Sequence, residues 1–329
     1  MTDWILALDT SAYTTSLATV DLNGHLLSDK RVLLQVPTGE RGLRQSEAFY
    51  SHVKQVPDLF ASISRPEKPP VGIAVSSRPR PLEGSFMPVF LVGTQFARVL
   101  SLAWGCPLWE FSHQEGHVMA GLHSAEGPCS EEFIAVHISG GTTEILRVRR
   151  NRTGFLEQLL GGTNDLHAGQ LVDRIGVALG LPFPSGPHLE ALAIQSAPQG
   201  EYELRIPSYC RNMAVSFSGA EAAALRMITR GEPGAEIARA LERCIAVSIS
   251  KMILQAIEST GLRDVLLVGG VAANLYINGE IRRRVATKGD LFFASREFSS
   301  DNAAGLAWLA LAAFAASFDK QEEPWNVRR

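Results

Sequence analysis

Cysteine is scarce in this 329-residue chain: Cys106, Cys129, Cys210 and Cys244 stand far apart and form no C-x-x-C pair. Neither a disulfide framework nor a zinc knuckle is predicted, and reduced thiols in a cytoplasmic protein are the simplest account. Charge of one sign is also missing. The net charge is −3, so nucleic acid could be met only through a local basic patch. The candidates are Arg147, Arg149, Arg150 and Arg152, then Arg282, Arg283 and Arg284, then Arg78 and Arg80. Such runs are ordinarily solvated faces. Met1 to Leu8 has no basic segment leading into a long apolar stretch, so no signal peptide is expected. The apolar stretch from Ala303 to Phe318 is short for a membrane span and reads as a buried helix. No membrane partner is expected. What is present is the composition of a globular protein, 46% apolar and 20% charged. The length exceeds what one hydrophobic core usually takes, which predicts two domains.

The apolar run Ile5–Leu8 ends in Asp9-Thr10-Ser11 and returns as Ser16–Val20. Asn23-Gly24 then supplies a tight turn into a third strand, a meander. Helical spacing runs from Arg41 to Ile63, with Pro57 expected to kink or divide it. Val71–Val75 reads as a buried strand. A Pro/Arg/Gly-rich segment, Ser76–Pro88, leads to a helix near Val89–Trp104 and a short strand, Pro107–Phe111. A second buried strand, Phe133–Ile138, ends in Ser139-Gly140-Gly141-Thr142-Thr143 and returns from Glu144. Strand, small-residue turn and return strand thus occur twice. This internal repeat is the main architectural clue. Helices are expected at 166–180, 187–197, 219–230, 235–260, 273–286 and 302–318, and strands at 265–268 and 291–293. The domain boundary is placed in the Gly/Pro-containing stretch 124–131, giving residues 1–128 and 129–329.

Both small-residue turns suit phosphate, and in the second the glycines let backbone N–H groups approach an anion. Asp9 sits where a carboxylate could hold a metal-bound water, and Ser11 beside it is a second catalytic candidate. Gly269-Gly270 after the strand 265–268 would let a base or ribose lie against the backbone, with Asn274 at the next helix start. His113 and His117 are four apart and share a helix face, which suits two imidazoles on one divalent ion. In His113-Gln114-Glu115-Gly116-His117 the zinc-protease position for a carboxylate carries Gln114, so a metallopeptidase is disfavoured. Asp301 reads as a helix cap that becomes a ligand if the fold carries it across a cleft.

Taken in order, these segments resemble the tRNA threonylcarbamoyladenosine transferases, formerly called O-sialoglycoprotein endopeptidases. The resemblance spans Asp9-Thr10-Ser11, His113–His117, Ile138–Gly141, Ala168–Arg174, Gly180–Pro187, Ser216–Gly219, Gly269–Asn274 and Ser300–Ala304. It implies an α/β chain with the duplicated actin-like ATPase fold, two domains around a nucleotide cleft. It implies one divalent metal, Fe, Zn or Mn, on His113, His117 and Asp301. ATP or threonylcarbamoyl-adenylate would be held by His137, Ile138, Ser139, Gly140, Gly141, Asp173, Gly186, Gly270 and Asn274. In this family a threonylcarbamoyl group passes from its adenylate to the exocyclic nitrogen of adenosine beside the anticodon. tRNA, a small dimerising partner of the same fold and a separate ATPase are the implied partners.

The departures are equally specific. The family's Cys-Asp-Glu after the first strand is Ala12-Tyr13-Thr14, its His after Gly141 is Thr142, and its Asp-Asp is Asp165-Leu166. Its Thr-x-Gly-Pro-Gly-Leu loop is Ser76-Ser77-Arg78-Pro79-Arg80-Pro81. The metal site reads as kept and the acceptor edge as rewritten, which is the pattern of a divergent paralogue. A non-catalytic nucleotide-binding partner or regulator is the competing expectation.

Overall fold

The computed structural model describes residues 2–11, 13–37, 42–197 and 204–319. The chain opens with β1 (Trp4–Asp9), β2 (Thr14–Asp21), β3 (Leu26–Leu33), α1 (Gln45–Ser62), β4 (Gly72–Arg78), α2 (Phe90–Trp104) and β5 (Leu108–Ser112). Helix α3 (His113–Ser124) leads to β6 (Glu132–Ile138), β7 (Thr143–Asn151), β8 (Gly154–Thr163), α4 (Ala168–Ala178) and α5 (Gly186–Ala193). Then come β9 (Cys210–Arg211), β10 (Ala214–Val215), α6 (Ser218–Thr229), α7 (Gly234–Thr260) and β11 (Asp264–Val268). The described chain ends with α8 (Leu275–Val285), β12 (Asp290–Phe293), α9 (Arg296–Ser299) and α10 (Ala304–Asp319).

Two sheets form, ordered β3-β2-β1-β4-β5 and β12-β11-β6-β7-β8-β10-β9. In the first, β1, β2 and β3 are an antiparallel meander, and β4 and β5 add in parallel. In the second, β6, β7 and β8 are the meander, and β11 and β12 add in parallel. The repeat of two hairpins in the sequence is therefore a duplication of a five-stranded unit, extended at one edge by β10 and β9. The central strands β1 and β11 are buried almost throughout, as expected where parallel neighbours are covered on both faces.

Two local expectations change, and one strand had no expectation. Helix α1 runs through Pro57 without a break. β4 extends three residues further than expected, taking Ser76, Ser77 and Arg78 into the sheet. β8 has no strong apolar alternation, and hydrogen bonding to β7 rather than side-chain pattern makes it a strand. Among the described residues no helix is long and apolar enough to cross a membrane.

Helices α3 and α10 lie between the sheets. α3 packs against β6 and β11 of one sheet and β4 and β5 of the other, while α10 packs on β1, β2 and β4. The two helices cross at Gly116 and Gly305. A Cβ on Gly305 would strike the Gly116 carbonyl, so only glycine permits this approach. Gly116 lies next to His117, and Gly305 lies one turn after Asp301. The crossing therefore sets the distance between the histidines and the carboxylate.

Candidate metal centre and nucleotide cleft

Helix α3 begins abruptly because Ser112 and Glu115 form a capping box. The Glu115 N–H donates to Ser112 Oγ at 3.1 Å, and the Ser112 N–H donates to Glu115 Oε2 at 2.7 Å. Glu115 is thereby consumed in the cap and is not free to serve as a peptidase base.

The cap aims His113 and His117 at a common point. Their Nε2 atoms are 3.0 Å apart. Asp301 Oδ1 lies 3.4 Å from His113 Nε2 and 3.3 Å from His117 Nε2. Ligands about 2.0–2.2 Å from one ion stand about 3.0–3.5 Å from each other, so this triangle has the dimensions of one face of a metal polyhedron. The neighbour of Asp301 takes over the capping expected of it: Asn302 Oδ1 accepts the Gly305 N–H at 3.1 Å. Asp301 is left to face the imidazoles.

Asp9 lies behind His113. Its Oδ2 is 2.7 Å from His113 Nδ1, while its Oδ1 accepts from the Ser11 N–H at 2.9 Å and the Ser76 hydroxyl at 2.6 Å. A carboxylate on Nδ1 fixes the tautomer that turns the Nε2 lone pair toward a metal. Burial opposes charge on His113, yet Asp9 and Asp301 outweigh it and raise its pKa to about 10. Burial also opposes ionisation of Asp301, but its hydrogen bonds to the two histidines hold it far below the usual carboxylate range. Burial first, then the His113 charge, lowers His117. His137, near the end of β6, lies beside the triangle. It is buried, its ring lies 4.6 Å from that of His117, and neither ring nitrogen has a partner among the described residues. Burial, then the charges of His117 and His113, keep it neutral.

A cleft of about 680 Å³ opens beside the triangle, with Asp301 in its wall. Of the sequence candidates, Ser139, Gly140, Asp173, Gly186, Gly270 and Asn274 line it. Asp9, Ser11 and Ile138 are buried beneath it, and Gly141 is exposed on the turn. Gly169 presses α4 onto the turn so closely that a Cβ there would meet the Gly140 nitrogen at 2.5 Å. Asp173 Oδ1 accepts the Ser185 N–H at 2.8 Å, and burial pushes its pKa up to about 6. Asn274 caps α8 by accepting the Ile277 N–H at 2.9 Å and donates to Glu242 Oε1 at 2.7 Å. Burial raises Glu242 to about 7 despite Asn274 and Arg239. Glu190 and Glu242 also line the cleft and were missed in the sequence, because a glutamate within a helix carries no local signal.

The rewritten edge is visible too. Tyr13 reaches across the cleft mouth to Phe183, with ring centroids 5.5 Å apart and edge-on. Ala12 lies outside the described residues. Arg80 does not line the cleft: its Nη2 pairs at 2.8 Å with Glu144 Oε1, joining the two halves. The other basic runs are met by acids or carbonyls, with Arg147 on Glu132, Arg283 and Arg284 on Glu280, and Arg150 on Ser130 and Pro128 oxygens.

Solved structures share this architecture. Component A of the Acidaminococcus fermentans (R)-2-hydroxyglutaryl-CoA dehydratase is 16% identical with a TM-score of 0.58, the match covering 95% of this chain and 99% of that one. HypF of T. kodakarensis is 15% identical with a TM-score of 0.61, covering 95% and 48%. The activator of the 2-hydroxyisocaproyl-CoA dehydratase from Clostridium difficile, solved with bound ADPNP, is 16% identical with a TM-score of 0.53, covering 100% of both chains. At these identities the likeness shows the fold, which is the duplicated actin-like ATPase fold. The profile of one family, TsaD, tRNA N6-adenosine threonylcarbamoyltransferase, matches residues 57–308. That span takes in both histidines, the second turn, the Gly269-Gly270 turn and Asp301, and the chain accordingly belongs to the TsaD family.

Proposed function

We propose that this protein transfers a threonylcarbamoyl group from its adenylate to the N6 nitrogen of adenosine in tRNA. The observation that carries the reading is the shared wall: Asp301 closes the histidine triangle on one side and lines a nucleotide-sized cleft on the other. His113, His117 and Asp301 would hold one divalent ion, Fe, Zn or Mn. Bound there, the ion supplies Lewis-acid stabilisation of charge on phosphate and carbamoyl oxygens. The chain's own groups do the rest. The Ser139-Gly140 turn meets phosphate, Asp173 accepts from a ribose hydroxyl, and Gly270 with Asn274 borders the base. In the transfer, the adenosine amine attacks the carbamoyl carbon, the carbon–oxygen bond to phosphate breaks, AMP leaves with the electron pair, and the amine gives up a proton. ATP binding in the same cleft agrees with the ADPNP held by the Clostridium difficile activator. The domain division at residues 128 and 129, a cytoplasmic location, and assembly with a small same-fold partner and an accessory ATPase belong to this proposal.

One observation favours a second reading, a nucleotide- and metal-binding partner without catalysis. Where the family carries two acids, Tyr13 packs on Phe183 and adds no carboxylate to the cleft. An assay separates the two. Purified protein is given adenylate labelled in its threonyl group and unmodified tRNA. Transfer puts label into the tRNA, and a chelator or the His113→Ala, His117→Ala double variant removes it. Label that stays out of tRNA, while metal and adenylate still bind, establishes the non-catalytic reading.

A further inference from the structure

Asp301 reaches the histidines from the end of α9, a helix of four residues. So short a helix supplies few bonds of its own. Two arginines tie it from opposite sides. Toward the second half, Arg296 pairs with Glu190 of α5. Toward the first half, Arg31 of β3 donates from Nη1 to the Glu297 carbonyl at 2.6 Å and to Ser300 Oγ at 3.1 Å. The rest of the guanidinium is fixed by Asp29, whose two carboxylate oxygens each lie 3.1 Å from Arg31 Nε. The Arg31 Cζ stands 5.7 Å from the centre of the Phe298 ring.

We propose that Arg31 is a positioning residue for Asp301, holding the metal-binding carboxylate level with the two imidazoles. The inference rests on the reading that His113, His117 and Asp301 bind a divalent ion. The histidines' helix is referenced to the first sheet by the His113 contact with Asp9 at the end of β1 and by packing on β4 and β5. Asp301 sits between α10, which the crossing with α3 references to the first sheet, and α9, which leans on Glu190 in the cleft wall. The crossing fixes Asp301 from its C-terminal side only, so a shift of the cleft wall would pull on it through α9 unless α9 were also referenced to the first sheet. Arg31 makes that connection, bonding to the residue immediately before Asp301. Its planar fork suits two acceptors and a carboxylate at once, which a lysine ammonium cannot match.

The test is a Co2+ titration followed by visible absorption, with thermal unfolding recorded alongside. The proteins are wild type, Arg31→Ala, Arg31→Lys, Ser300→Ala and Trp4→Phe. Trp4 lies in the first-sheet core, with its indole N–H on the Lys68 carbonyl at 2.8 Å, and reports plain destabilisation. Arg31→Ala should weaken Co2+ binding at least about tenfold and shift the absorption band, because residues that orient ligands govern affinity at that scale. Arg31→Lys should recover part of the loss, and Ser300→Ala should lose about two- to threefold. Trp4→Phe should lower Tm and leave affinity and spectrum alone. Wild-type affinity and spectrum in Arg31→Ala overturn the inference, as does an equal loss in Trp4→Phe. If Arg31→Ala does not fold, wild-type affinity and spectrum in both Arg31→Lys and Ser300→Ala overturn it. A wild-type protein that binds no Co2+ overturns the metal reading and this inference with it.

Discussion

The β1–β2 and β6–β7 turns occupy the same place in the two copies of the duplicated unit, yet they have opposite characters. In the first, Asp9, Thr10 and Ser11 are at most 1% exposed. Thr10 Oγ1 donates to the Val89 carbonyl at 2.9 Å, and the Asp9 carboxylate is engaged by Ser11, Ser76 and His113. The first three residues of this turn are packed shut, and the Asp9 carboxylate is spent on one imidazole. In the second, Ser139 Oγ organises the turn by accepting the Gly141 and Thr142 N–H groups at 3.3 and 3.1 Å. Gly140 and Gly141 stand in open space, with nothing within 4 Å of where a Cβ would sit. The same loop position thus anchors the His113 imidazole in one copy and opens on the cleft in the other. Duplication supplied the frame, and the side chains at two turns divided the work.

The largest effect should come from removing the groups that the first turn supports. The His113→Ala, His117→Ala double variant should bind metal at least about a hundredfold more weakly than wild type, and adenine nucleotide within about threefold of it. Metal content measured after dialysis checks the first half, and calorimetry with AMP the second. Equal metal in both proteins would break the comparison.

A smaller effect is expected on the cleft side. Asn274→Ala removes both a helix cap and the partner of Glu242. It should weaken AMP or ATP about tenfold, on the order of 1.4 kcal/mol, and cost about 1 kcal/mol of stability through the lost cap. Metal content should not change. Unaltered AMP affinity by calorimetry would remove Asn274 from the cleft's working groups.

The smallest effect concerns the outer strands, β3 and its counterpart β8. β8 carries Glu157, whose stem reaches the surface while both carboxylate oxygens are buried without a partner. Burial, then Glu115 and Glu144, raise its pKa from 4.5 to about 8. An acid with a raised folded pKa contributes stability that is complete below the unfolded value and is lost as pH rises through the folded one. Glu157→Gln should therefore leave Tm unchanged near pH 4.5 and raise it by about 2–4 °C at pH 8. A Tm profile parallel to wild type from acid to pH 8 would show that Glu157 is solvated.

Much of the frame was legible in the sequence because it rests on local pattern. The apolar run before Asp9 and the run before Ser139 each announce a strand, and small residues announce the turn. His113 and His117 share a helix face by spacing alone. The crossing that brings Asp301 to them was not legible. It depends on Gly116 and Gly305, far apart in the chain, and no local rule joins two such glycines. Asp9 was legible as a candidate, but its position behind His113 follows from tertiary packing against Ser76. The Arg78-Pro79-Arg80 segment showed cations but not their partner, since Glu144 is polar sequence until the sheets place it opposite Arg80. Tyr13 was visible as a departure, whereas its contact with Phe183 required both halves of the cleft.

The division of work between the two turns is tested most directly by paired titrations of Asp9→Asn and Gly140→Val, each with Co2+ and with AMP. Asp9→Asn should weaken Co2+ by about 10–100-fold and leave AMP unchanged, because it alters only the group that orients His113. Gly140→Val should weaken AMP at least about tenfold and leave Co2+ unchanged, because its side chain enters the cleft and not the core. If both variants lose both ligands equally, or if either loses the ligand assigned to the other turn, the account is contradicted.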